Sequence, residues 1–242
     1  MPLVLYTDFG AADLYVGQLK SVLTGFAPKL PVIDALHDAP NYDISASAHL
    51  LAALAPQYPS GSVFVAVVDP GVGGERDAIV VEADGRSFVG PDNGLLSILW
   101  QRARRKRCRR IVWRPARLAS SFHGRDLFAP VAAALAAKRL PRGWLTAKPE
   151  PDVLFDAGDL AEIIYVDHYG NALTGIRARG VARDAVLRVG RRRLRYAGTF
   201  EAVRAGEAFW YDNSLGLVEI AANRASAARR LALRVGTRVR VN

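Results

Sequence analysis

Asp69 and Arg76 bracket a glycine-rich turn, Asp69-Pro70-Gly71-Val72-Gly73-Gly74-Glu75-Arg76. A carboxylate and a guanidinium placed on either side of such a turn can face each other, and glycines let the backbone approach a ligand closely. The plainer reading is a structural ion pair, worth little if it is exposed. The segment is not a P-loop, because no Gly-Lys-Ser/Thr follows. It is not a dinucleotide fingerprint either, because strand-forming residues stand where a helix would be required. His123, in Ser121-Phe122-His123-Gly124-Arg125-Asp126, is the side-chain type most easily poised near neutral pH. Against that stands a packed or capping histidine, with Asp126 as the N-cap of the next helix. Asp8, in Thr7-Asp8-Phe9-Gly10, follows a short apolar run and can accept hydrogen bonds from a ribose diol or cap a helix. Two further segments, Tyr165-Val166-Asp167-His168-Tyr169-Gly170-Asn171 and Asp212-Asn213-Ser214 through Glu219-Ile220-Ala221, gather carboxylate, amide, hydroxyl and ring. Such groups would grip an amino acid and a purine, and they are also ordinary turn chemistry.

Other chemistries find no support. No histidines pair at helical i, i+4 spacing, and the single cysteine, Cys108, has no partner for a metal or a disulfide. The G-x-S-x-G elbow of a serine hydrolase is missing. No metal site is expected. His37 and His49 lack such company and read as structural.

The elements that must position these loops are legible as an alternation. Apolar runs at Leu3–Tyr6, Pro31–Leu36 and Val63–Val68 read as buried strands. Leu19, Val22, Leu23 and Phe26 form a helical stripe closed by Pro28, and Ile44 to Ala55 forms a second. Asp84-Gly85 marks a hairpin between Ala78–Glu82 and Ser87–Val89. Helices are expected over Leu95–Arg102 and Phe128–Arg139. This is the pattern of an α/β fold with a largely parallel sheet, whose ligands bind beyond the carboxyl ends of the strands. Prolines 141, 149 and 151 then punctuate a stretch of weak periodicity. Short strands follow, at Glu162–Asp167, Ala185–Val189, Arg193–Tyr196, Ala208–Tyr211, Leu217–Ile220 and Arg238–Val241, reading as a small β-barrel or sandwich. The expected organisation is an N-terminal α/β domain over 1–145, a linker over 146–160 and a C-terminal β-barrel domain over 161–242.

The charge needs dividing before it is read. The 33 basic and 23 acidic residues leave +10, which invites a nucleic-acid partner. Residues 1–159 hold 18 basic and 16 acidic groups, whereas 160–242 hold 15 and 7. Nine of the basic residues in the first part crowd into Arg102–Arg117 without an acid, so the remainder of that part is acidic. Within it, Arg102–Arg110 reads as a solvated basic segment at a helix end, with an RNA patch as the sharper alternative. No apolar run is long enough to span a membrane, and the first residues lack a basic leader, so a cytoplasmic protein is expected.

Six motifs occur in a fixed order: Asp-Phe-Gly at 8–10, Val-Asp-Pro-Gly-Val-Gly at 68–73, Gly-Pro-Asp-Asn-Gly at 90–94, Phe-His-Gly-Arg-Asp at 122–126, Asp-His-Tyr-Gly-Asn at 167–171 and Asn-Ser-x-Gly-x-x-Glu-Ile-Ala at 213–221. This order resembles the S-adenosylmethionine hydroxide adenosyltransferases, relatives of the fluorinase and chlorinase, over essentially the whole chain. The resemblance implies hydrolysis of S-adenosyl-L-methionine to adenosine and L-methionine, with no cofactor beyond the substrate. It also implies a homotrimer whose sites are shared between subunits. It assigns Asp69, Arg76 and His123 to the handling of water, Asp8 to the ribose hydroxyls, and Asp167 and Ser214 to the methionine end. Asn171 and Tyr169 would take the adenine, and Tyr42, Phe122 and Glu219 would complete the substrate-binding set. Leu215 stands where the fluorinase has an arginine for the methionine carboxylate, and Arg224 is the nearby substitute. In the halogenases the Asp69 position resembles tyrosine. A carboxylate there repels a halide and suits a water, which disfavours the halogenase alternative. A non-catalytic nucleotide- or RNA-binding protein is the other alternative. A membrane partner is not expected and nucleic acid is disfavoured.

Overall fold

The computed structural model describes residues 1–242 and divides into two compact units. The first comprises residues 1–51 and 58–157, the second residues 52–57 and 158–242.

The N-terminal unit is built on seven strands: β1 (Leu3–Thr7), β2 (Val32–Leu36), β3 (Val63–Val67), β4 (Ala78–Ala83), β5 (Arg86–Pro91), β6 (Lys106–Ile111) and β7 (Leu145–Lys148). They lie in the order β2-β1-β3-β5-β4-β6-β7. β2, β1, β3 and β5 run parallel, and β4, β6 and β7 extend the sheet antiparallel. β1 and β3 are buried at every residue, which is why each reads as an unbroken apolar run. Helices α1 (Leu14–Phe26) and α4 (Ala129–Ala136) pack Leu19, Leu23, Val131, Ala132 and Ala136 with Leu3, Leu5, Val63 and Val65 of the sheet. α2 (Ile44–Leu54) and α3 (Ser97–Arg102) are the remaining helices of this part of the chain. Asp13, rather than Asp8, caps α1, its carboxylate accepting from the Leu14 N–H at 2.6 Å. The Asp84-Gly85 hairpin forms as expected, both residues at positive φ.

Three local expectations are overturned. The basic run is no loose segment at a helix end: Lys106–Ile111 is a strand hydrogen-bonded on both sides, to β4 and β7. Lys106, Arg107 and Arg110 are exposed while Cys108 and Ile111 are buried, and the half-buried Arg109 pairs with Glu82. Leu145–Lys148, inside and beside the proline-punctuated stretch, is the edge strand β7. Asp126 caps no helix: it sits within a π-helical turn, Gly124–Phe128, that leads into α4, and its carboxylate accepts from the Ala119 N–H at 2.9 Å.

Both sheets of the C-terminal unit are antiparallel. β8 (Leu160–Val166), β9 (Ala172–Arg177), β12 (Ala208–Asp212) and β13 (Leu217–Ala222) form one sheet in the order β12-β13-β9-β8. β10 (Leu187–Val189), β11 (Arg192–Leu194) and β14 (Arg240–Val241) form a second, ordered β11-β10-β14. Isolated bridges join their edges, Glu162 to Arg238 and Tyr196 to Trp210. Backbone bonds support both seams, Val239 N–H to Ala161 O at 2.8 Å and Ala197 N–H to Trp210 O at 3.1 Å. The seven strands thereby close a circuit around Trp210, Ile163, Leu187, Leu194, Val218 and Ile220. A short helix, α5 (Ala227–Leu231), follows β13.

Candidate active site

The strand order of the N-terminal sheet reverses between β1 and β3, since the chain leaves β1 for β2 on one side and returns as β3 on the other. Open α/β sheets bind ligands at such a point, beyond the carboxyl ends of the strands. Asp8 and Asp69 follow those two ends, and the Asp8 N–H donates to Val67 O at 3.3 Å. Burial raises the Asp8 carboxyl above its ordinary range, and the negative charge of Asp69 adds to the rise.

Asp69, Arg76 and His123 meet in the fold. Arg76 grips Asp69 with Nε at 2.8 and 3.0 Å from the two carboxylate oxygens and with Nη2 on Oδ2. The Asp69 side chain is 3% exposed and that of Arg76 11%, so this is a desolvated pair rather than a surface bridge. The same Nη2 lies 3.2 Å from His123 Nδ1. Burial, reinforced by the Arg76 charge, holds the His123 imidazole below its ordinary pKa and therefore neutral at pH 7. The Phe128 ring backs the guanidinium at 5.5 Å, and Asn93 Nδ2 donates to Val68 O at 2.9 Å, fixing the start of the Asp69 loop. The two loops touch through Gly73. A Cβ there would lie 2.4 Å from the Ser120 carbonyl oxygen, and φ is +83°. A cavity of 360 Å³ opens against Arg76 and His123, walled also by Gly73, Arg114 and Ser120.

Phe122 is buried in an aromatic cluster with Phe9 and Tyr15, with ring centroids 5.7 and 5.5 Å away. Tyr42 stands at φ +62° and is 79% exposed.

The C-terminal unit has its own cavity, of 880 Å³, and six of the expected residues line it: Asp167, Tyr169, Asn171, Ser214, Glu219 and Arg224. Asp167 and Asn171 form one device. The Asp167 carboxylate accepts from the Asn171 backbone N–H at 2.8 Å and from its side-chain Nδ2 at 2.9 Å, closing the turn between β8 and β9. Glu219 is buried, and Tyr211 Oη and Asn213 Nδ2 donate to its two oxygens at 2.5 and 2.8 Å. Burial nevertheless pushes the Glu219 carboxyl up, with Asp167 adding to it. Tyr169 and Arg224 present exposed side chains at the rim.

The residues given no role of their own from sequence are the supports: Phe128 and Tyr211, which no motif contains, and Asn93 and Asn213, which stand inside motifs. Tyr211 had a signal, because the β12–β13 hairpin sets it opposite Glu219. Phe128 had none, since only the π-helical turn brings its ring under Arg76.

Asp77, Asp92 and Asp152 bring carboxylate oxygens within 4.8 Å of one another, the spacing of a cation site. The Lys148 ammonium already fills that place, at 3.1, 3.4 and 2.6 Å from the three. Cys108 is buried and its thiol is pushed up to about 12, which removes it as a thiolate nucleophile.

Residues 3–143 match the SAM hydroxide adenosyltransferase N-terminal domain, and residues 161–240 match the C-terminal domain of the same family. The chain belongs to the SAM hydroxide adenosyltransferase family. It is 37% identical to an (R)-S-adenosyl-L-methionine hydrolase of Thermus thermophilus, an alignment covering 99% of each chain. It is 39% identical to the enzyme of that name from Salinispora arenicola, over 97% of this chain and 95% of the relative. Fluorinases align at lower identity, 25% for that of Actinopolyspora mzabensis. Among solved structures, an uncharacterized conserved protein of Thermotoga maritima superposes with a TM-score of 0.89 at 30% identity, covering 99% of both chains. No helix is long and apolar enough to cross a membrane.

Proposed function

We propose that the protein hydrolyses S-adenosyl-L-methionine to adenosine and L-methionine, by attack of water or hydroxide at the ribose C5′. The relatives are named for the (R) sulfonium epimer, and that epimer is the substrate proposed here. The observation that carries the reading is the contact of Asp69, Arg76 and His123 beside the ends of β1 and β3.

The carbon–sulfur bond breaks with its electron pair going to sulfur, so the sulfonium leaves as the neutral thioether of methionine. One water oxygen bonds to C5′ and one proton is released. The leaving group needs no acid, so the protein's task is to orient the oxygen in line and take up the proton. Arg76 only donates, so His123 Nδ1 accepts from it, and the neutral ring keeps Nε2–H as its donor toward an attacking oxygen. Asp69, with Arg76 anchoring it, orients the water and receives the proton. Asp8 takes the ribose hydroxyls. Asp167, Ser214 and Arg224 hold the methionine end, and Asn171 and Tyr169 hold the adenine. Tyr42, Phe122 and Glu219 complete the pocket. No cofactor takes part, and the assembly is a homotrimer.

The test is product analysis with each sulfonium epimer in labelled water, with and without halide. Equimolar adenosine and methionine, with the label on the adenosine 5′ oxygen and a preference for the (R) epimer, is the expected result. A 5′-halogenated nucleoside would favour the halogenase reading instead, and Asp69 is the residue that argues against it, since its charge repels a halide.

A further inference from the structure

The small three-stranded sheet of the C-terminal unit carries an unusual register. Arg188 on β10 stands directly opposite Arg193 on β11, and on its other side opposite Arg240 on β14. Leu187, Val189 and Leu194 at the alternating positions are buried, so the pleat turns the three arginines outward together. All three are exposed. With neighbouring strands about 4.8 Å apart, the row leaves the sheet across roughly 10 Å.

Like charges directly opposite each other destabilise a sheet, and these strands are only three, three and two residues long. Nothing within the chain offsets the repulsion. The ion pairs of this unit are Arg177–Asp159, Arg183–Asp212 and Arg238–Glu162, and none involves the row. Exposed Arg191 and Arg192 at the hairpin end and Arg195 beyond Arg193 extend the field. A local rule broken without internal compensation is the mark of a functional surface.

We propose that this face binds the phosphodiester backbone of a nucleic acid, independently of sequence. A row of guanidinium forks matches a row of phosphates, each fork able to engage two oxygens. The outward positions carry no ring on which a base could stack, which leaves phosphate as the group recognised. Bilayer-binding faces pair basic residues with apolar groups that enter the headgroup layer, whereas the outward positions of this row are all arginine. The inference does not rest on the proposed hydrolysis. None of these arginines lines the 880 Å³ cavity.

The experiment titrates the full chain with a short labelled RNA strand, and separately with duplex DNA of the same length, over a salt series. Wild type is expected to bind at low salt with log K falling linearly in log salt. The R188Q/R193Q/R240Q variant should bind at least ~10-fold more weakly, with a slope shallower by about 2–3, close to one unit per lost phosphate contact. The same variant should melt no lower than wild type, because the substitution lifts a repulsion, and should retain the product assay. Binding in both arms supports recognition of the shared phosphodiester, and binding in one arm alone supports it with that polymer as the source. No binding at low salt would overturn the proposal. So would an unchanged slope in the variant, or binding lost instead in R104Q/R105Q/R107Q. Capture of phosphatidylserine vesicles without either nucleic acid would also overturn it.

Discussion

Arg76 Nη2 stands 3.2 Å from His123 Nδ1 while the same guanidinium clasps the Asp69 carboxylate. A guanidinium has no acceptor, so the contact fixes the imidazole proton on Nε2. Nitrogen NMR should find His123 as the neutral Nε2–H tautomer at pH 7. Arg76→Lys keeps the charge and loses the fork, so turnover should fall by ~10²-fold or more with a smaller change in KM. Wild-type turnover in that variant would remove Arg76 from the chemistry.

The position of His123 also sets a pH dependence. Burial first, and the Arg76 charge second, lower its pKa below 6.5. The proposed mechanism uses a neutral ring, so turnover should fall on the acid side, through that lowered pKa. The folded state binds fewer protons here than the unfolded chain, so the stability contribution is full above 6.5 and is lost as pH falls through the window beneath it. Arg76→Gln removes one lowering influence, and titration of the His123 ring should move to higher pH. A downward movement would contradict the contact.

Asp69→Asn keeps the shape of the pair and removes its charge. Turnover should drop by ~10²-fold or more, the scale of a lost acid–base group, and Arg76 would be left desolvated without its counterion. With the Asp69 charge in place, product analysis of the wild type across a chloride series should yield no halogenated nucleoside.

Lys148 sits 5% exposed among Asp77, Asp92 and Asp152, and Asp92 is fully buried. Lys148→Met removes the shared counterion and should cost about 3–5 kcal/mol at pH 7. Burial already raises the Asp92 carboxyl, so that group takes up a proton as the pH falls and the loss should shrink toward pH 5. Denaturant melts at the two pH values check both halves.

Gly170 holds φ +85°, and a Cβ there would fall 2.0 Å from Ser226 Oγ. That hydroxyl caps α5 by accepting from the Arg229 N–H at 3.1 Å. Gly170→Ala should therefore lower stability by about 2 kcal/mol or more, combining backbone strain with a displaced cap. KM should rise more than turnover falls, because the Asp167–Asn171 turn borders the cavity. Thermal melts and steady-state kinetics separate the two effects.

What the residues disclosed, and what they hid, follows physical lines. β1 and β3 were plain because burial on both faces demands unbroken apolar runs. The hairpin between β4 and β5 was plain because Asp84-Gly85 is the turn such hairpins need. β6 was hidden because arginine and lysine occupy most of its positions, and only pairing to β4 and β7 makes it a strand. β9 was hidden by Thr174 and Gly175. The glycine is forced there because a Cβ would lie 2.6 Å from Leu160, a contact no local pattern records. The three residues Asp69, Arg76 and His123 could be named together, since each stands in or beside one of the motifs whose fixed order carries the resemblance. The facing of Asp69 and Arg76 across their turn could be read, but the approach of His123 to that pair could not, because the π-helical turn that holds Phe128 beside it leaves no periodic trace.

The closed circuit of the C-terminal unit bears on how the protein behaves at high concentration. An unpaired strand edge is a template on which a second chain can add, and a ring of strands offers none. The seams Glu162–Arg238 and Tyr196–Trp210 remove the edges that two separate sheets would expose. In the N-terminal unit only β2 and β7 are open. β2 carries Asp34 in ion pairs with Lys20 and His37, and β7 runs into Pro149 and Pro151. Charge on one edge and proline beside the other discourage strand addition there, so each unit resists edge-to-edge aggregation by its own means.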